Sequence, residues 1–145
     1  MESQHIFLFV WVIMVVIMLT IMYIRGKSAL VIFPNITSVD VLFREKGVSG
    51  NSRKSLKTKF GGAKNVLDVI VTDCELWIRS PLLFAGFSKT YDLLHKVQLS
   101  HISNVESNKK KVVISFNSDG KIETTLELKM KKAQDFVEII NKKKA

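Results

Sequence analysis

The chain opens with an uninterrupted apolar stretch. Residues 6–24 contain no charged side chain. Nineteen helical residues rise about 28 Å, close to the ~30 Å thickness of a bilayer's hydrocarbon core. The pattern therefore predicts a transmembrane helix that ties the rest of the chain to a membrane.

A cleaved signal peptide is the alternative interpretation of this stretch. Signal peptides begin with a basic region, have an apolar core of about 7–15 residues and end at small residues. Here residues 1–5 contain no Lys or Arg, and Arg25-Gly26-Lys27 stands where a cleavage site would be expected. An uncleaved anchor is therefore favoured.

The charges beside the apolar stretch predict its orientation. Arg25 and Lys27 follow the stretch, whereas Glu2 and the α-amino group nearly cancel before it. Because positive flanks stay in the cytoplasm, we expect the N-terminus outside and the C-terminal domain inside the cell. The single cysteine, Cys74, agrees with a reducing compartment. The sequon at Asn35 would then carry no glycan.

After the anchor, apolar and polar residues alternate in short runs, which is typical of half-buried strands. Gly47–Ser52 has the composition of a loop, and Leu82–Tyr91 is ambiguous, because it is apolar but has Pro81 and Gly86 in or beside it. The predicted strands are Thr37–Glu45, Ser55–Phe60, Val66–Val71, Leu76–Ile78, His95–Leu99 and Ile102–Ser107.

The end of the chain predicts a hairpin and then a helix. Val112–Phe116 and Ile122–Met130 alternate on either side of Asn117–Gly120, whose Asp-Gly pair favours a tight turn. The period then changes, and one helical stripe is apolar. The members of this stripe are Ala133, Phe136, Val137 and Ile140. So short a helix must dock on the sheet to be stable.

Three segments resemble a pleckstrin-homology (PH) superfold domain of the GRAM-like or bacterial PH-like kind. They are the strand–turn–strand Val69–Ile78, the segment Lys96–Glu106, and the last strand with its helix, Leu126–Ile140. The resemblance covers Thr37–Lys142 and implies a mainly β fold of about seven antiparallel strands. Two nearly orthogonal sheets would be closed at one end by the amphipathic helix. A β-sandwich or small β-barrel with a terminal helix is the alternative.

These patterns predict four regions. Residues 1–27 form the anchor with its flanks, 28–37 a juxtamembrane linker, 38–142 the PH/GRAM-like domain and 143–145 a basic tail. About 118 residues follow the anchor, which suffices for one domain with one core.

The formal net charge of +9 lies almost entirely outside the anchor. Such a surface keeps a small domain soluble, but beside a membrane it also attracts anionic lipid headgroups. Nucleic acid is disfavoured as a partner because the chain has an anchor and no aromatic-rich RNA-binding signature.

The resemblance implies a phosphoinositide-binding basic loop between the first two strands. The best match is the segment 53–59, in which Lys59 stands where the family has an Arg. Lysine binds phosphate but lacks the bidentate guanidinium fork. The candidate lipid-binding residues are Arg53, Lys54, Lys57, Lys59 and Lys64. A solvated strand face is the alternative.

No residue pattern indicates catalysis, a metal or a cofactor. His95 and His101 lack ligands at zinc spacing, and Cys74 lies in a turn. The acidic residues Asp68, Asp73, Glu75 and Asp92 are scattered and form no recognisable pair.

Three further segments have two interpretations each. Pro81–Phe87 is either a covered loop or an exposed apolar patch that meets lipid or protein. Ala29–Phe33 is either a first strand or an interfacial segment. Lys142–Ala145 resembles the dilysine retrieval signal of endoplasmic-reticulum membrane proteins, or is simply a lysine-rich helix end.

Taken together, the sequence predicts a single-pass, non-enzymatic binding module. Its domain would contact anionic lipid headgroups or a partner protein at the membrane surface. The alternatives are a scaffold or assembly subunit that binds only protein, and a small membrane-tethered enzyme.

Overall fold

A computed structural model describes residues 2–53, 56, 58, 61–117 and 123–144. The chain begins with a long helix, α1 (Glu2–Leu30), and ends with a second, α3 (Ala133–Lys144). A third helix, α2 (Leu82–Thr90), lies between the third and fourth strands. The strands are β1 (Val41–Ser52), β2 (Ala63–Thr72), β3 (Glu75–Arg79), β4 (His95–Gln98), β5 (Ile102–Asn108), β6 (Lys111–Phe116) and β7 (Thr124–Lys129).

The seven strands form one antiparallel sheet in the order β4-β3-β2-β1-β7-β6-β5. The long strand β1 joins the two halves: it pairs with β2 between Val41 and Gly50, and with β7 between Ser49 and Ser52. Three register shifts interrupt the β1–β2 pairing. Such bulges bend a strand and increase its twist, so β1 is where the sheet turns.

The prediction of a loop at Gly47–Ser52 is wrong, because these residues continue β1. Gly47 has a φ of +73°, which glycine adopts at a bulge without steric cost. A Cβ on Gly50 would lie 2.8 Å from a Leu128 methyl and 2.9 Å from a Leu67 methyl. Gly47 therefore permits a bulge in β1, and Gly50 leaves room for the side chains of Leu67 and Leu128.

Two other predicted strands differ from the structure. In Thr37–Glu45, the strand begins only at Val41, and Ile36–Ser38 is a 3-10 turn capped by the Asn35 side chain. In Ser55–Phe60, Leu56 and Thr58 are helical, and the other residues lie outside the described part of the chain. The remaining predicted strands are confirmed within one to three residues at their ends, and residues 118–122 of the predicted hairpin turn also lie outside the described part.

The main core fills the space between one face of the sheet and α3. Phe136 is fully buried and meets Phe43 edge-on, with ring centroids 5.6 Å apart. The predicted stripe is confirmed, since Ala133 and Ile140 are buried too. The Glu45 carboxylate on β1 accepts hydrogen bonds from the backbone N–H groups of residues 131 and 132, at 2.7 and 3.0 Å. This contact ties the start of α3 to β1 and complements the positive end of the helix dipole.

Candidate functional site: the surface around α1 and α2

The last turns of α1 are built into the folded domain. Gly26 and Ala29 are buried one turn apart on the same side of the helix. A Cβ on Gly26 would lie 1.7 Å from the Leu82 carbonyl oxygen, so only glycine allows α1 to approach the start of α2 this closely. On the other helix, a Cβ on Gly86 would lie 3.0 Å from Cβ of Arg25. Close contact through small residues is a common way for helices to pack in membranes.

Part of the outer face of the sheet is also buried. Trp77 on β3 and Ile70 on β2 are directly paired and point away from the main core, yet both are fully buried. The ring of Phe33 lies 6.2 Å from that of Trp77. Ala29–Phe33 is therefore not a strand: α1 ends at Leu30, Ala29 is buried and Phe33 contacts Trp77, whereas Val31 and Ile32 are exposed.

Charged side chains on the outer face are paired with one another. The Asp68 carboxylate accepts hydrogen bonds from Arg44 at 2.8 and 3.1 Å and from Arg79 at 3.3 Å. Glu75 accepts a hydrogen bond from the Trp77 indole at 2.9 Å, and Lys96 Nζ lies 3.6 Å from its other oxygen. These carboxylates hold neighbouring strands and the indole in place, which is a structural role.

The ambiguous segment after Pro81 is the helix α2, and its large side chains point outward. Ala85 and Ser88 are the buried residues of α2, whereas Leu83, Phe84 and Phe87 are exposed. Of the two interpretations of Pro81–Phe87, the structure therefore shows the exposed apolar patch.

The candidate lipid-binding residues lie between β1 and β2. Arg53 follows the last residue of β1, and its guanidinium pairs with Glu127 on β7. Lys64 is exposed near the start of β2. Lys54, Lys57 and Lys59 lie outside the described residues. The structure thus places Arg53 and Lys64 at the two ends of the basic segment, and Arg53 already neutralises a carboxylate.

A second basic region, at the β5–β6 turn, was missed by the sequence analysis. Lys111 and Lys129 are direct cross-strand partners, an arrangement in which like charges repel. Lys111 Nζ lies 3.4 Å from Glu127, which partly offsets this repulsion. The turn borders a cavity of about 510 Å³, lined by Ser49, Gly50, Asn51, Asn108, Lys109, Lys110, Lys111, Glu127, Leu128 and Lys129. The sequence feature that could have indicated this basic region is the run of three lysines beside a tight turn.

The residues considered for metal or nucleophilic chemistry are either packed within the domain or exposed to solvent. His95 Nε2 lies 2.7 Å from the Asp92 carbonyl oxygen, and its ring meets Phe116 edge-on at 5.0 Å. Cys74 is an exposed free thiol at the β2–β3 turn, and His101 is exposed. Across residues 2–53, 56, 58, 61–117 and 123–144, no three His, Cys, Asp or Glu side chains gather in a metal-binding arrangement.

Comparison with known proteins identifies the fold. No family model matches the chain, and no curated protein matches its sequence. The chain superposes on the PDZ-RhoGEF DH/PH chain from its complex with GTPγS-activated RhoA, with a TM-score of 0.53 at 14% identity. A PDZ-RhoGEF DH/PH fragment in complex with human RhoA gives a TM-score of 0.48, also at 14% identity.

The fold is PH-like. The first match covers 74% of this chain but only 30% of the PDZ-RhoGEF chain. The mainly β fold of seven antiparallel strands with a C-terminal helix is confirmed, although the strands form one continuous sheet joined through β1 rather than two separate sheets. The match does not distinguish a GRAM-like domain from other PH-like domains, and at this identity it shows the fold alone.

Proposed function

We propose that the chain is a single-pass, membrane-anchored and non-enzymatic binding module. Its PH-like domain would lie on the cytoplasmic face and contact anionic lipid headgroups. Among the residues that the structure describes, α1 is the helix long and apolar enough to cross a membrane. Its most apolar 18-residue window has a mean hydropathy of 2.8, and none of that window is buried against the domain.

The docking of α1 on the domain is the observation that carries this proposal. A signal peptidase that cut directly after the apolar stretch would have to cut inside α1, which continues unbroken to Leu30, at the point where Arg25 and Gly26 lie against α2. Because the helix end is part of the domain's own packing, an uncleaved anchor fits the structure better than a removable signal. An anchor holding a basic domain against the bilayer places its lysines where each contributes about 1 kcal/mol to attraction for anionic lipid.

The proposed orientation predicts that the domain is protected in intact cells. Protease added to cells or right-side-out vesicles should leave residues 31–144 uncut and should digest them after the membrane is opened. Asn35 is exposed and should carry no glycan in a eukaryotic host. Digestion of the domain in intact cells, or a glycan on Asn35, would reverse the proposed topology.

The proposed headgroup contact predicts slower amide exchange in the segment 53–64. We expect this slowing when the full chain sits in phosphatidylcholine nanodiscs that contain phosphatidylserine, compared with phosphatidylcholine alone. Salt should reduce the difference, since the screening length falls from ~8 Å at physiological ionic strength to ~3 Å at 1 M. Changing Lys57 and Lys59 to Glu should weaken the contact by at least about 2 kcal/mol and so abolish the difference.

The matched control makes the same charge change at the other basic region. Lys109→Glu with Lys110→Glu should leave the exchange of residues 53–64 sensitive to phosphatidylserine. If this control variant alone removed the sensitivity, the lipid contact would lie at the β5–β6 turn. If phosphatidylserine had no effect on any variant, headgroup binding would be excluded and a partner protein would be the remaining candidate.

A further inference from the structure

We propose that α2 is a second membrane element. It would lie in the boundary between headgroups and acyl chains, with Leu83, Phe84 and Phe87 in lipid. This inference rests on the proposed anchoring of α1. It adds a lipid-inserted surface of the domain itself, which the anchor alone does not require.

The distribution of side chains on α2 is the reverse of that expected for a helix covering a soluble domain. Such a helix turns its large apolar residues inward and its small or polar residues outward. In α2 the inward residues are the small Ala85 and Ser88. The outward residues are Leu83, Phe84 and Phe87, with 42%, 46% and 56% of their surfaces exposed. A neighbouring lipid phase would cover this apolar face.

The position of α2 along α1 places this apolar face at the depth of the boundary between headgroups and acyl chains. The start of α2 touches Gly26, and Gly86 lies against Arg25. Arg25 is the first charged residue after the apolar stretch, so it marks the level at which hydrocarbon gives way to headgroups. Interfacial helices bury their apolar faces about 5–10 Å into this boundary. Lys27 on α1 and Lys89 in the last turn of α2 are exposed and can extend to lipid phosphates.

The two helices also border a wedge of about 330 Å³ with a mixed lining. Its lining residues are Met18, Ile21, Met22, Arg25, Leu83, Gly86, Phe87, Thr90 and Tyr91. Met18 and Ile21 belong to the predicted span, so with α1 in the membrane this end of the wedge would meet hydrocarbon, and Arg25 would lie at the headgroups. An acyl chain would fill it, with the lipid phosphate near Arg25. Two attachment points, α1 and α2, would then fix how the domain is oriented on the bilayer.

The test is a depth measurement on the full chain in phosphatidylcholine–phosphatidylserine nanodiscs. In a Cys74→Ser background, single cysteines replace Phe84 or Phe87 and carry a fluorophore. A label at Ile17 in α1 reports the hydrocarbon, and a label at Gln134, exposed on α3, reports water. We expect spin-labelled lipids to quench positions 84 and 87 about as strongly as position 17. Aqueous iodide should quench them several-fold less than position 134.

The other outcomes separate this inference from the proposed function. If iodide reached positions 84 and 87 as readily as position 134 while position 17 stayed in lipid, α1 would be an anchor and the inference would be wrong. If iodide also reached position 17, the anchoring itself would be wrong. Shielding of positions 84 and 87 from both quenchers would assign the patch to a second copy of the chain. Leu83 provides an independent label position, and melting curves would confirm that each labelled chain is folded.

Discussion

Replacing Phe136 by alanine is expected to destabilise the domain by about 3–5 kcal/mol, the usual cost of truncating a buried phenylalanine. The side chain is fully buried in the middle of α3 and meets Phe43 edge-on. Small domains are stable by only about 5–15 kcal/mol, so the variant should lose a large part of its stability. Urea unfolding of the full chain in detergent micelles, followed by circular dichroism, measures the loss.

Glu138 provides the control on the same helix. It is exposed two residues from Phe136, so its replacement by alanine should change stability by no more than about 0.5 kcal/mol. Equal urea midpoints for the two variants would mean that α3 does not close the core. The PH-like arrangement of sheet and helix would then lose the contact that holds it together.

Replacing Trp77 by alanine is expected to lower the free energy of unfolding by ~3–5 kcal/mol, because it truncates a buried side chain on the opposite face of the sheet from Phe136. Trp77 is buried on the outer face, where its indole donates to Glu75 and its ring meets Phe33. Its loss would leave a cavity beneath the junction of α1 with the domain. The conservative change to phenylalanine keeps much of the apolar area and should cost less, about 1.5–3 kcal/mol, mainly because the hydrogen bond to the Glu75 carboxylate is lost.

Trp11 is the matched control, because it is the chain's other tryptophan and is exposed in the middle of α1. Its replacement by alanine should leave the urea midpoint of the domain unchanged. If Trp77→Ala were as harmless as Trp11→Ala, the outer face would not depend on the packing of α1. The case for an uncleaved anchor would be weakened with it.

Periodicity alone predicted the elements whose character is local. An apolar run of bilayer length identified α1, alternation identified most strands, and the stripe through Phe136 identified α3 and its buried face. Each prediction needs only the order of apolar and polar side chains, because helices and strands repeat at fixed and different intervals. The PH-like fold was not a result of periodicity; it was implied by the resemblance of Val69–Ile78, Lys96–Glu106 and Leu126–Ile140 to such domains.

Periodicity did not predict the structure where a residue's role depends on contacts with residues distant in sequence. The glycines of β1 indicated a loop by composition, but they permit a bulge at Gly47 and the close passage of Leu67 and Leu128 over Gly50. Pro81 and Gly86 made α2 ambiguous, although Gly86 only makes room for Arg25 of α1. These glycines are required by neighbours distant in sequence, which no local pattern records.

The surface formed by α1 and α2 shows the same division between local pattern and tertiary packing. The sequence by itself determined that a basic domain follows an apolar helix and that apolar residues follow Pro81. Only the tertiary structure decided that Gly26 meets Leu82, that the outer face is closed over Trp77, and that Leu83, Phe84 and Phe87 face outward at the level of Arg25. Hydrophobicity determines which side chains leave water, but the packing of distant segments determines which of them remain on the surface.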